Sequence, residues 1–145
     1  MKSFPRILVA ALAMAGAMAV HAAADTPIVP ARVNTVATGG EWSSAKDSGT
    51  LRIVVVNQGF EHVQSKLWLE WLAIGENEER RLAARVLVEE LSNGFSVVRL
   101  DTRRKTFDGT RIRLLAANPY SAEDSEVTIT AGKPGRYKII SRPVR

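Results

Sequence analysis

The chain has 145 residues, 46% of them hydrophobic and 24% charged, which is the make-up of one globular domain and excludes a disordered or coiled-coil chain. Lys and Arg number 20 against 15 Asp and Glu, a net charge of +5. No cysteine is present, which excludes disulfide scaffolds, thiolate metal centres and thiol catalysis.

The first residues differ from the rest. Lys2 and Arg6 precede an uncharged apolar run over 7–20, and Ala22, Ala23 and Ala24 lead into Asp25. A basic start, a short apolar core and an Ala-x-Ala end have the form of a secretory signal peptide, so 1–24 is expected to be a leader cleaved after Ala24. The apolar run is 14 residues, whereas a membrane span needs about 20. Removal of 1–24 takes away Met1, Met14, Met18 and His21, leaving His62 as the one histidine and a net charge of +3. An exported domain with neither cysteine nor an Asn-x-Ser/Thr acceptor points to a bacterial periplasm, with secretion as the alternative.

Residues 25–49 are Pro-, Gly- and Ser-containing and weakly patterned. They read as a lead-in with one edge strand near 31–37, then a turn at Gly39–Gly40, with the ordered domain over 50–145. From Thr50 the dominant period is two. The β-branched run 51–56 (LRIVVV) predicts a strand covered on both faces or nearly so. Over 62–73, Val63, Leu67, Leu69 and Trp71 fall on one side. His62, Gln64, Lys66, Trp68 and Glu70 fall on the other, the mark of a strand with one wet face. The segment 78–91 is rich in Glu, Arg, Ala and Leu, which favours helix. Its position after a strand and a tight turn favours a hairpin return, with Leu82, Ala84, Val86 and Val88 on one face and Arg85 and Glu89 opposite.

Segments 95–105 and 110–117 predict a hairpin around Asp108-Gly109. A three-residue loop 107–109 would pair Lys105 with Arg111, Thr102 with Leu114 and Leu100 with Ala116. Near the end, 126–130 alternates, Lys133-Pro134-Gly135-Arg136 predicts a type II turn, and 137–140 returns as the last strand. Seven or eight short strands with frequent turns predict a mainly β fold, an antiparallel two-sheet sandwich of immunoglobulin-like layout. A small barrel is the alternative, or an α+β fold if 78–91 is helical.

Chemistry is thinly supplied. On a strand, Glu61 and Ser65 point away from His62, so no local Ser–His–carboxylate relay exists. A hydrolase or isomerase would need His62 as base with Glu70 or Asp101 brought to it by the fold. One histidine without cysteine or methionine gives no usual zinc or copper set. The acidic turns Glu76-Asn77-Glu78-Glu79 and Glu123-Asp124-Glu126 lack the spacing of a calcium loop. In Gly132-Lys133-Pro134-Gly135, Pro134 stands where a phosphate loop needs Ser or Thr. Neither metal nor cofactor is expected.

Two surfaces stand out. In the hairpin register above, Arg99, Arg103, Lys105, Arg111 and Arg113 share one side, a candidate anion-binding face for an anionic glycan or lipid. Nucleic acid is not expected, since no aromatic alternates with these cations to stack bases. Trp68, with Gln64, Lys66 and Glu70 around it, is an aromatic on a polar strand face, a pattern common at contact surfaces. The expected function is therefore a non-catalytic binding module for an envelope or secreted protein, with no stable membrane anchor after cleavage. The alternatives are the His62 enzyme and the basic anion-binding hairpin.

Overall fold

The computed structural model describes residues 29–144; the expected leader over 1–24 and the start of the lead-in lie outside them. Among the described residues nine strands follow in chain order: β1 (Val33–Ser43), β2 (Ser48–Gln58), β3 (Gln64–Ile74), β4 (Arg80–Leu87), β5 (Val97–Leu100), β6 (Phe107–Asp108), β7 (Arg111–Asn118), β8 (Glu123–Ala131) and β9 (Tyr137–Pro143). The first sheet has the order β1-β2-β3-β4, and the second β5-β7-β8-β9 with the short β6 also on β7. All pairings are antiparallel. The fold is mainly β, two open sheets forming a sandwich rather than a closed barrel. Both sheets are meanders in chain order, whereas the immunoglobulin layout sends consecutive strands to different sheets.

The period-two pattern explains the layers. Leu51, Ile53 and Val55 of β2 and Leu67, Leu69 and Trp71 of β3 point inward. They meet Val98, Ile112, Leu114, Val127 and Ile129 from the second sheet in one core. Each such side chain stabilises the fold by about 1.5–3 kcal/mol through removal from water. Polar bonds tie the sheets together at fixed points. The Trp71 Nε1–H donates to the Gly132 carbonyl at 3.1 Å. Ser65, buried on β3, accepts the Val98 N–H at 2.9 Å and donates to Asn57 Oδ1 at 2.9 Å. That hydroxyl is a structural clamp between β3 and β5.

The segment 78–91 forms a strand over Arg80–Leu87, followed by a single 3-10 turn at Glu89–Leu91. Helix propensity yields because the turn before it is already closed: the Gly75 N–H donates to the Glu79 carbonyl at 2.7 Å, and Asn77 and Glu78 take positive φ. One face assignment changes. A bulge at Trp71/Leu72 sets Trp71 opposite Ala84 but Leu72 opposite Leu82. Leu82 thus moves to the outer face and is 46% exposed, while Ala84, Val86 and Val88 keep the inner one.

The expected turn at Gly39–Gly40 is instead a bulge inside β1, which runs on to Ser43. The chain reverses at 44–47, where the Ser44 N–H bonds the Asp47 carbonyl at 2.7 Å. The lead-in therefore supplies a full edge strand, and its Trp42 is buried in the core. The type II turn forms as expected, with Gly135 at φ 82 and the Arg136 N–H on the Lys133 carbonyl at 2.9 Å.

The 95–117 hairpin departs from expectation. Phe107 pairs with Ile112 and Asp108 with Arg111, so the loop has two residues, Gly109 and Thr110. Farther on, Leu100 pairs with Leu114 and Val98 with Ala116. The registers differ because 101–106 loops out of the strand. A continuous strand with a two-residue loop would mix apolar and charged groups on both faces. The excursion removes that conflict, keeping Val98 and Phe107 on the inner side and Arg99 and Asp108 on the outer.

Candidate functional site

The outer face of the first sheet carries the most organised surface. Antiparallel register sets its residues in cross-strand rows. One row reads Val36 (β1), Val54 (β2), Trp68 (β3), Leu87 (β4). The next reads Thr38, Arg52, Glu70, Arg85 on the same strands. An apolar row of four thus lies directly beside a charged row. Trp68 is half-buried among its neighbours, and Val36 at 51% and Leu87 remain open to solvent.

Glu70 dominates the charged row. Its carboxylate is 1% exposed although it points away from the core. Arg52 Nε donates to Oε2 and Arg85 Nε to Oε1, the latter at 2.6 Å. Each carboxylate oxygen therefore holds one guanidinium, and the two arginines cover the glutamate from both sides. The arginine side chains stay 34% and 53% exposed. The triad carries net charge +1. A groove of about 520 Å³ runs over it, with Val29, Pro30, Val33 and Val36 forming the apolar wall around Trp68.

The sequence reading thus places Gln64, Lys66, Trp68 and Glu70 on one face correctly, since all four have outward parity on β3. Glu70, however, is an internal anchor for two cations rather than a presented carboxylate. Arg52 and Arg85 were missed as site residues. The available signal was a lone cation inside each of two apolar strands, LRIVVV and LAARVL, flanking a strand with a lone central acid.

His62 does not join this face. β3 begins at Gln64, so His62 sits in the β2–β3 loop and stacks on Tyr120, with ring centroids 5.3 Å apart. Phe95 meets Tyr120 edge-on at 5.7 Å. Among the described residues His62 makes no side-chain hydrogen bond or ion pair, Ser65 is committed to the β3–β5 clamp, and Glu70 and Asp101 are committed to arginines.

The basic hairpin is interleaved with acids. Arg99 pairs with Asp124 at 2.7 Å, and Arg111 and Arg113 share Asp108 at 3.2 and 3.1 Å. Arg103 and Lys105 lie in the 101–106 excursion rather than on the strand. Arg103 holds Asp101 at 3.2 Å, and the neighbouring Arg104 bonds Glu126 at 3.0 Å. Of the five candidate cations only Lys105 makes no ion pair among the described residues. The single-sided cationic stripe expected from sequence is a mixed-charge surface, because the excursion, β6 and β8 bring carboxylates into it.

Asp101 anchors that excursion and is buried. The Arg103 N–H bonded to it, opposed by its burial and aided by the Arg103 and Arg104 guanidiniums, holds its carboxyl below the ordinary carboxylate range. A carboxyl lowered in the folded state contributes stability that is present above the unfolded group's value and lost as pH falls through the folded one. Asp101→Asn is therefore expected to lower the urea midpoint at neutral pH. The gap to the parent should narrow as pH drops below about 4. Parallel midpoint curves across that window would contradict the assignment.

Comparison with family models, curated proteins and solved structures yields no match.

Proposed function

We propose that this chain is an exported, periplasmic, non-catalytic binding module that docks an envelope or secreted protein on the outer face of its first sheet. The observation that carries the reading is the pairing of the apolar row Val36–Val54–Trp68–Leu87 with the Arg52–Glu70–Arg85 row on an open face. Solvated sheet faces scatter apolar groups singly, and a contiguous patch bordered by organised charge marks a contact surface. The leader-like 1–24 supports the address. The His62 enzyme has less support, because both carboxylates it would need serve arginines. The anionic glycan or lipid alternative has less support, because four of its five cations serve carboxylates.

The test is site-specific photo-cross-linking in cells expressing the full chain. A photoreactive amino acid at Val36 or Leu87 is expected to give a discrete cross-linked species. The same group at Thr128, outward on the second sheet, is expected to give none. Trp68→Ala should abolish the species from both positions. Equal cross-linking from the two sheets, or none, would defeat the reading, and so would mature protein that keeps residues 1–24 and stays out of the periplasmic fraction.

A further inference from the structure

Resting on the docking face above, we infer that its partner is a protein segment that presents a carboxylate beside apolar side chains and lies across the strands. The chemistry comes from the triad. A buried ion pair is a weak source of stability, and well-packed apolar groups of similar volume often do as well or better. Here the Glu70 carboxylate is buried beside the apolar Val36–Val54–Trp68–Leu87 row, where an apolar side chain would serve the fold as well, so Arg–Glu–Arg is poorly explained by folding alone. It is well suited to holding two cations in fixed positions. Glu70 occupies one Nε of each arginine. The Nη donors of Arg52 and Arg85 have no bonded partner among the described residues, and both side chains reach solvent. A guanidinium fork matches a carboxylate in two parallel bonds. Lys66 on the same face adds a further positive charge.

The apolar requirement comes from the adjacent row. The two rows are two residues apart along each strand, roughly 7 Å, and the apolar row crosses four strands, a span of about 14 Å. An occupant that satisfies the arginines is thereby set against Trp68, Val54 and Val36. A simple inorganic anion would leave that surface wet. A small amphiphile would need most of its own surface enclosed, and this groove is an open sheet face. A protein segment closes the site with its own surface, so it is the occupant that charge and shape favour together.

A displayed library of random peptides panned on the full mature protein tests this. The expected outcome is a consensus with Asp or Glu next to two or more large apolar residues, its binding lost in Trp68→Ala and weakened about tenfold in Arg85→Gln. The inverted triad Arg52→Glu/Glu70→Arg/Arg85→Glu keeps opposite charges paired and should select Lys- or Arg-bearing peptides instead. Arg85→Gln, on the exposed edge strand, keeps the test decisive should the inverted variant not fold. Trp68-dependent peptides without an acidic residue would overturn this inference and leave the docking face standing. Absence of any Trp68-dependent peptide would overturn the docking face itself. A dimer in sedimentation that Trp68→Ala dissociates would assign the face to a second copy and also overturn the inference.

Discussion

Trp71→Ala is expected to destabilise the protein by about 3–5 kcal/mol and to lower its melting temperature by roughly 10–20 °C. Trp71 is fully buried on β3, at the centre of the core between the sheets. Its removal deletes one of the two tryptophans of that core and leaves a cavity that rigid strands on both sides cannot collapse into, so transfer and cavity effects add. The Nε1–H bond to the Gly132 carbonyl is lost as well. Trp71→Phe separates the two contributions. It keeps most of the ring volume and loses the donor, while Gly132 lies at an exposed turn where water can take over the carbonyl. Its expected effect is about 1 kcal/mol. Thermal and guanidinium unfolding followed by circular dichroism measures both. Equal losses for the two variants would show that the hydrogen bond, not the packing, carries the site.

Gly40→Val should be nearly as damaging, about 3 kcal/mol or more, although it adds atoms to an edge strand. Gly40 sits at φ 65, and a Cβ there would lie 2.3 Å from the Gly109 carbonyl oxygen. The same oxygen accepts the Glu41 N–H at 3.2 Å, so the bulge in β1 is where the first sheet grips the β6–β7 turn of the second. A left-handed conformation costs a non-glycine residue about 1–3 kcal/mol, and a β-branched one suffers most. Here the clash with a backbone oxygen adds to that. Gly109→Ala is the control: Gly109 also has positive φ, but a Cβ there would meet nothing within 4 Å. It should lose only the conformational part, about 1–2 kcal/mol. Similar losses for the two variants, read from urea midpoints, would mean that close approach plays no part at Gly40. Since the bulge is remote from the Trp68 row in register, Gly40→Val should reduce the folded fraction without altering what the folded molecules bind.

The candidate face shows how far local pattern reaches. Parity alone put Gln64, Lys66, Trp68 and Glu70 on one side of β3 and Leu67, Leu69 and Trp71 on the other, and the burial follows that division except at Glu70, which its two arginines cover. Position after a strand and a tight turn, rather than parity, favoured a strand for 78–91 against its helical composition. Parity failed where one residue was inserted or looped out. The bulge opposite Trp71/Leu72 turned Leu82 outward, and the 101–106 excursion moved Arg103 and Lys105 off the strand. A period of two carries no memory across such an insertion, so every assignment beyond it inverts or shifts. Gly39–Gly40 misled for a related reason. Paired glycines signal a place where side chains are unwelcome, and sequence cannot say whether a turn or a neighbouring backbone excludes them.

The amino-acid order by itself determined that this is a β protein, which faces of its principal strands are wet, and that no thiol chemistry is available. Alternation and turn residues encode these properties locally, within a few residues of where they act. Tertiary structure decided the lateral neighbours: Arg52 and Arg85 around Glu70, Trp68 in line with Val54 and Leu87, and carboxylates among the hairpin arginines. The pairs Arg85–Glu70, Arg52–Glu70, Arg104–Glu126 and Arg99–Asp124 join residues 15 to 25 positions apart in the chain. They depend on strand order and register, which emerge only when two sheets pack and every apolar row must find the core at once.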